Sequence, residues 1–391
     1  MHNEPNTKNQ ELVLMKLLYM MNSDRGGMAD YGLYQALALR DQNVDVTFLC
    51  SPGYIHQEKL QGITVIPQLY SIESRKIGKI KRRINWISKL VGDIKTLCQV
   101  SEEVRPDTIL FSSYYEYLSP LWAWRIRGLK KKMPMQIASV IHDPVRNFQV
   151  GPKWWHEWSI REAYSFLDHA FLHEKIGIPF SEDKTFLIPQ GIYQYPEPSK
   201  ERWKVLSELN IPTDSLVLLS FGFIRDGKNL DLLIQSLKEL PKCHLIIAGH
   251  EQSGSQKGIE YYQSLAEKAG VKDRCHWQTK FIPDQEAADL FNASDLIALT
   301  YSASFRSASA VANIAARYRK PVIASGGQGN LQKIVKDYCL GIWVEPDSQE
   351  AIIDGVQDFT RNPPLPDYHR FIEENSWERN ARIVKDAFLH R

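Results

Sequence analysis

The chain has 391 residues, 43% hydrophobic and 24% charged, which suggests about two domains with the composition of a soluble globular protein. A net charge of +2 removes any bulk electrostatic case for a nucleic-acid partner, so basic surfaces must be local. The five cysteines (Cys50, Cys98, Cys243, Cys275, Cys339) are scattered without a CxxC pair, which argues against a zinc site or disulfide framework and for a reducing cytoplasm.

In chain order, LVLMKLLYMM is short and broken by Lys16, as expected of a first strand over 12–21 rather than a leader or membrane span. The turn NSDRGGMADYG, a helix from about Ala29 to Arg40 and the strand VDVTFLC complete a βαβ opening. Gly26 and Gly27 let backbone approach a phosphate or sugar, and equally suit a plain turn. From Arg75 to Ile94, Ile77, Ile80, Ile84, Ile87, Val91 and Ile94 recur every three or four residues. Arg75, Lys76, Lys79, Lys81, Arg82, Arg83 and Lys89 lie mostly off that stripe. This basic amphipathic helix suits a core-facing element with a solvated face. It also suits attachment to anionic lipid with Trp86 at the interface, or recruitment of a charged acceptor. A second basic cluster, WAWRIRGLKKK, spans Trp122 to Lys132.

Further strands are expected at 108–112, 136–142, 169–173 and 184–188. His142 ends the apolar run ASVIH, so its ring should emerge at a strand's carboxyl end, where a neutral imidazole can orient a hydroxyl or bond a sugar. An ordinary strand-end histidine is the alternative. Asp143 could hold that ring or cap the next turn, and His173 is expected to be structural. Residues 191–215 carry prolines and polar residues without a long apolar run, the expected linker.

The second half repeats strand and helix through LVLLSF, HLIIAGH, RCHWQTKF, DLIALTY, KPVIAS and GIWVEP. Within FGFIRDGKNLDLLI (221–234), a buried strand enters a glycine turn bearing Arg225 and Lys228, and a helix follows with Leu230, Leu233, Ile234 and Leu237 on one face. Two fixed cations beside a helix start make a diphosphate grip at a strand's carboxyl end; the alternative is a βα turn with two solvated cations. In SFRSASAVANIAARYR, Ser307 and Ser309 precede a helix, whose free amides suit phosphate or a simple serine cap.

The second half resembles the retaining, family 4 nucleotide-sugar glycosyltransferases of the GT-B fold. The resemblance rests on FGFIRDGKNLDLLI, LIIAGH, FIPDQEAADLFNASDLIALTYSAS, KPVIASGGQGNLQKIV and the terminal NSWERNARIVKDAFLH. In the first half GGMADYG, IHDPV and LIPQGIY match more thinly, and Gln190 stands where a histidine is common. The resemblance implies two doubly wound Rossmann-like domains facing a cleft. They would be an acceptor domain over 1–195 and a nucleotide-sugar domain over 196–375, with a terminal helix over 376–391 crossing back.

It also implies a nucleotide diphosphate sugar as substrate, UDP by default, and a polysaccharide, lipid-linked or small acceptor. The donor set implied is Gly27, Gly222, Arg225, Lys228, Gly249, Phe281, Ile282, Arg306, Ser307, Ser309 and Asn313, with His142, Arg225 and Lys228 catalytic. Preorganised cations would stabilise charge building on the leaving diphosphate. No DxD-type pair stands at a suitable place, so neither metal nor other cofactor is expected.

One departure concerns two glutamates that the family usually carries seven residues apart. This chain has none between Glu286 and Glu345, and the pair falls on Arg306 and Ile314, or on Phe305 and Asn313. Asn313 could bond a ribose hydroxyl. Arg306 could favour an acidic sugar or contact the phosphate. A catalytically impaired scaffold, or an epimerase of the same fold, is the competing expectation. The expected location is cytoplasmic, with attachment to the cytoplasmic membrane face left open.

Overall fold

The computed structural model describes residues 14–70, 79–113, 115–142, 149, 151–174, 178, 180–251, 256–306 and 309–389, without the side chains of 79–84. Asp143, Ser307 and Arg75 to Gly78 of the basic stretch lie outside the described residues. The chain divides into Met1–Ile188 with Glu378–Arg391, and Pro189–Trp377.

In the first unit seven strands are β1 (Lys16–Met20), β2 (Asp45–Cys50), β3 (Thr64–Pro67), β4 (Thr108–Phe111), β5 (Gln136–Ile141), β6 (His169–Leu172) and β7 (Thr185–Leu187). They pair in parallel in the order β3-β2-β1-β4-β5-β6-β7. The connecting helices are α1 (Gly27–Asp41), α2 (Lys79–Val104), α3 (Ala123–Lys132) and α4 (Lys153–Tyr164). Leu17, Leu18, Tyr19 and Met20 of β1 are all buried, as a central strand covered on both faces requires. Leu90, Ile94 and Leu97 of α2, Ile126 and Leu129 of α3, and Tyr164 of α4 share one apolar cluster with Leu18, Met20 and Ile109 of the sheet. These three helices therefore cover the same face.

The second unit opens with α5 (Arg202–Glu208), inside the segment expected to be a linker. Ser199 N (2.6 Å) and Lys200 N (3.0 Å) donate to Asp289 Oδ1, and Val205 and Leu206 join the core, so this stretch is structured. Its six strands are β8 (Leu216–Phe221), β9 (Cys243–Ala248), β10 (Cys275–Gln278), β11 (Leu296–Thr300), β12 (Val322–Ser325) and β13 (Gly341–Trp343). They pair in parallel in the order β10-β9-β8-β11-β12-β13, and the order reverses between β8 and β11. The helices are α6 (Leu230–Ser236), α7 (Ile259–Lys268), α8 (Asp284–Ala293), α9 (Ala310–Arg317), α10 (Asn330–Asp337), α11 (Gln349–Arg361), α12 (Tyr368–Glu374) and α13 (Trp377–Leu389).

From Glu378 onward, α13 belongs to the first unit. Asn380 is buried there, accepting from Gln35 Nε2 (2.8 Å) and donating to Tyr31 OH (3.1 Å), and Phe388 packs its ring 5.6 Å from His169.

The basic helix differs from its expectation in three ways. It continues to Val104, ten residues past the expected end. Lys89, assigned to the solvated face, is buried: its ammonium bonds the Tyr70 carbonyl and lies 3.2 Å from the buried Asp93 carboxylate. Ile87, assigned to the packed stripe, is 43% exposed. Among the described side chains of α2, the apolar ones that pack on the sheet begin at Leu90.

Candidate functional site

Ligands of open parallel sheets bind outside the carboxyl ends of the strands where strand order reverses. In the second unit that point lies between β8 and β11, and most sequence-predicted donor residues fall on the loops there. After β8 the chain turns at Gly222 (φ 88°), and the ammonium of Lys228 folds back to donate to the Phe221 carbonyl. Asn229 enters α6 in the left-handed region (φ 50°), a conformation asparagine tolerates. Gly249, at the end of β9 (φ 142°), is required by close approach: a Cβ there would stand 2.2 Å from the Gly222 carbonyl oxygen.

Burial pushes the Lys228 pKa down to about 7, and the Arg225 guanidinium beside it adds to that. A lysine in this state is held without a counterion and is stabilised by any anion that reaches it.

The loop after β11 is tied to this turn. Ser302 N donates to the Gly227 carbonyl (3.1 Å) and Thr300 Oγ1 to the Lys228 carbonyl (3.0 Å). The Arg225 guanidinium lies 6.0 Å from the centre of the Phe305 ring, which stacks on Tyr301 at 4.1 Å. Tyr301 OH is 3.1 Å from Ser309 Oγ. Arg225, Lys228, Phe305, Tyr301 and Ser309 thus form one linked group.

Ser309 stands at the N-cap of α9, yet its hydroxyl turns to Tyr301 instead of capping the helix, which corrects the expected serine cap. The amides of the first turn of α9 consequently receive no cap from that side chain.

Sequence reading missed Asp347. Its carboxylate accepts from Asn229 Nδ2 (2.8 Å) and from Ala303 N (2.9 Å), clasping the β8 turn to the β11 loop. An aspartate 118 positions from its asparagine partner carries no local signal. The glycine run after β12 does have a legible purpose once placed. A Cβ on Gly327 would meet the Ala303 carbonyl oxygen at 2.4 Å, and one on Gly329 the Arg306 carbonyl oxygen at 2.7 Å. Arg306 therefore lies on a loop seated directly against these glycines.

Other predicted donor residues are less convergent. Phe281 is 74% exposed, while Ile282 is buried in the core of the second unit, so any contact at 282 must be through backbone. Asn313 is buried on α9, and its Nδ2 donates to Gln190 Oε1 (3.1 Å).

The family model described as glycosyl transferases group 1 matches residues 201–377. That region is a glycosyl transferases group 1 domain. The group 1 domain thus coincides with the second unit and contains the Arg225–Lys228 turn. Among curated proteins, a D-inositol 3-phosphate glycosyltransferase of Xylanimonas cellulosilytica is 28% identical over 42% of this chain and 40% of its own length. An uncharacterized glycosyltransferase of Methanocaldococcus jannaschii is 23% identical over 53% of this chain and 54% of its own. The chain thus spans about half the length of these relatives. Among solved structures, Anabaena HepE in complex with UDP superposes with a TM-score of 0.73 over 96% of this chain and 100% of that one, at 15% identity. The fold is therefore GT-B, two Rossmann-like parallel-sheet units of seven and six strands.

Outside the group 1 domain, Gly27 is the first residue of α1, after Gly26 (φ 77°) at the N-cap. His142 follows β5 as expected, but with both ring nitrogens engaged. Its Nε2 lies 3.0 Å from the Ser112 carbonyl oxygen, and its Nδ1 lies 3.3 Å from His173 Nε2. His173 Nδ1 in turn lies 3.1 Å from the Ile188 carbonyl oxygen. Carbonyls only accept, so each ring spends one N–H on the backbone. Burial holds the His142 pKa down to about 4. The Ser112 carbonyl therefore fixes the Nε2–H tautomer of His142, and Tyr31 packs edge-on against His142 with ring centres 4.6 Å apart. Among the described residues no group of three or more His, Cys, Asp or Glu side chains could hold a metal ion.

Proposed function

We propose that this protein transfers a sugar from a nucleotide diphosphate sugar to a polysaccharide, lipid-linked or small acceptor, with retention of configuration, on the cytoplasmic side. The observation that carries this reading is the buried Lys228 beside Arg225, its ammonium folded back onto the Phe221 carbonyl under the β8 turn of a region that matches the group 1 model. As the glycosidic bond to phosphate breaks, negative charge grows on the leaving diphosphate. A guanidinium that can bind two oxygens and an ammonium fixed by the Phe221 carbonyl are oriented before that charge forms. His142 would meet the sugar after exchanging one of its two protein partners. UDP is the first donor to test, since HepE is the neighbour bound to UDP. The reaction proposed uses no metal or other cofactor, the two side-chain cations serving as the diphosphate's counter-charge.

A second reading is favoured by the residues from 287 to 344, which include no glutamate: a scaffold that binds the nucleotide without turnover. Calorimetry with UDP, GDP and ADP, followed by NMR of the product anomer from a panel of their sugars, separates the two. Binding with transfer in the presence of EDTA supports the transferase. Binding without hydrolysis or transfer supports the scaffold, and absence of affinity for all three nucleotides refutes the donor site.

A further inference from the structure

We propose that the sugar carried by the donor is acidic, a hexuronic acid whose carboxylate is taken by Arg306. This rests on the donor reading above and adds the class of sugar. Arg306 is exposed on the loop after β11, next to Phe305, whose ring lies 6.0 Å from the Arg225 guanidinium. The glycine turn after β12 lies against the same loop. Gly327 N donates to the Phe305 carbonyl (2.8 Å), a Cβ on Gly327 would stand 3.1 Å from Arg306 Cγ, and one on Gly329 would stand 3.3 Å from Arg306 Cα. The side chain of Arg306 therefore leaves its loop over the β12 turn, one strand beyond the β8–β11 reversal where Arg225 and Lys228 stand. Phe281 and Ile282, the positions expected to meet the base, follow β10 on the far side of β8. A donor laid along these strand ends runs from base through diphosphate to sugar in the direction of β12.

The charge on these loops selects the sugar. Among the described residues no hydrogen bond or ion pair engages the Arg306 guanidinium. Nearby carboxylates are committed elsewhere. Asp226 Oδ1 accepts from Lys257 N (3.0 Å) and Tyr262 OH (3.2 Å), and Asp347 holds Asn229 and Ala303 N. Glu345 is exposed after β13, two strands from β11, ~10 Å away at ordinary strand spacing. Asp295 stands at the opposite end of β11, paired with Arg202 at 2.9 Å. Arg225 and Lys228 answer the two phosphates of the donor, and Arg306 is a third cation beyond them that those carboxylates leave unneutralised. A neutral hexose offers it only hydroxyl oxygens, whereas the carboxylate of a hexuronic acid accepts two parallel N–H bonds from its fork.

Calorimetry on the full chain compares UDP-glucuronic and UDP-galacturonic acid with UDP-glucose and UDP-galactose, for the wild type and for Arg306→Gln. A protein that binds GDP or ADP in place of UDP receives the same sugars on that nucleotide. In the wild type at least one acid should bind about tenfold or more tightly than its hexose, the order contributed by a hydrogen-bonded charge pair. In Arg306→Gln that acid and its hexose should differ by less than about twofold. The ratio is read within each protein, so a general loss of nucleotide affinity cancels, and the thermal midpoint checks that the variant folds. Equal affinity of the wild type for each acid and its hexose overturns the inference, as does a preference that survives in Arg306→Gln. A wild type that binds the free nucleotide without preferring either acid refutes the acidic sugar and leaves the donor reading standing, whereas no affinity for UDP, GDP or ADP removes the donor reading itself.

Discussion

The depressed pKa of Lys228 makes nucleotide binding a proton-uptake reaction. With a pKa of about 7 the free protein is about nine-tenths neutral at this lysine at pH 8. A diphosphate placed against the ammonium restores its charge, so binding at pH 8 should take up about 0.9 proton, and at pH 6 about 0.1 from the lysine. The sign follows from linkage. The anion prefers the charged lysine, so as pH rises above 7 each pH unit should weaken UDP about tenfold, until the pKa of the bound state is reached. Calorimetry in two buffers of different ionisation enthalpy measures the uptake directly. At pH 8 the diphosphate has already lost its own protons, since such groups titrate near pH 6.

Lys228→Met provides the control, because it keeps the length of the side chain and removes the titration. It should abolish uptake and cut turnover by about 100- to 1,000-fold, the usual cost of losing one preorganised donor to developing charge. The same substitution should stabilise the free protein. The folded-state pKa is depressed, so the cost of burying the charge is fully present below about pH 7 and disappears as pH rises towards the ordinary lysine value of 10.5. The midpoint gained by Lys228→Met should therefore be larger at pH 6 than at pH 10. Zero uptake by the wild type at pH 8, or equal uptake by the variant, would refute the reasoning.

Two other perturbations follow from the loop geometry. Gly249→Ala puts a methyl 2.2 Å from the Gly222 carbonyl oxygen at a φ of 142°, so it should destabilise the fold by about 3 kcal/mol and lower the thermal midpoint by several degrees; an unchanged midpoint would show that the β8 and β9 turns are not in contact. Asp347→Ala removes two charge-assisted bonds to the β8 turn and β11 loop and should weaken UDP about tenfold in calorimetry, with a smaller effect on the midpoint; undiminished affinity would mean the turn holds its shape without the clasp.

How much could be read from sequence depended on the range of the interaction. Five of the six strands of the second sheet lie within the runs read for them, and β9 begins one residue before its run and is buried at every position, as a continuously apolar parallel strand should be. β3 was not anticipated. It has four half-exposed or exposed residues ending at Pro67, too little signal to separate from a loop. The Arg225–Lys228 turn was legible because its cations, glycine and helix stripe are contiguous. Contacts between residues far apart in the chain were not. Asp347 reaches Asn229 across 118 positions, and His173 meets His142 across 31, contacts that strand order creates and local pattern does not encode. Ser309 was placed correctly at a helix start, but tertiary context overrode its capping preference when Tyr301 supplied a closer partner.

The absent glutamates are best understood through charge. A carboxylate close to Arg225 and Lys228 would offset their repulsion and raise the lysine's pKa. No glutamate occurs from 287 to 344, and Lys228 is depressed by burial and by Arg225. Gln190 and Asn313 form an uncharged amide pair that can position polar groups but supplies no counter-charge. On this reading the donor site holds a suppressed positive charge that an anion restores at pH 8. Nucleotide affinity should then fall with pH even if transfer proves slow, so the grip on the diphosphate can be established independently of the identity of the sugar.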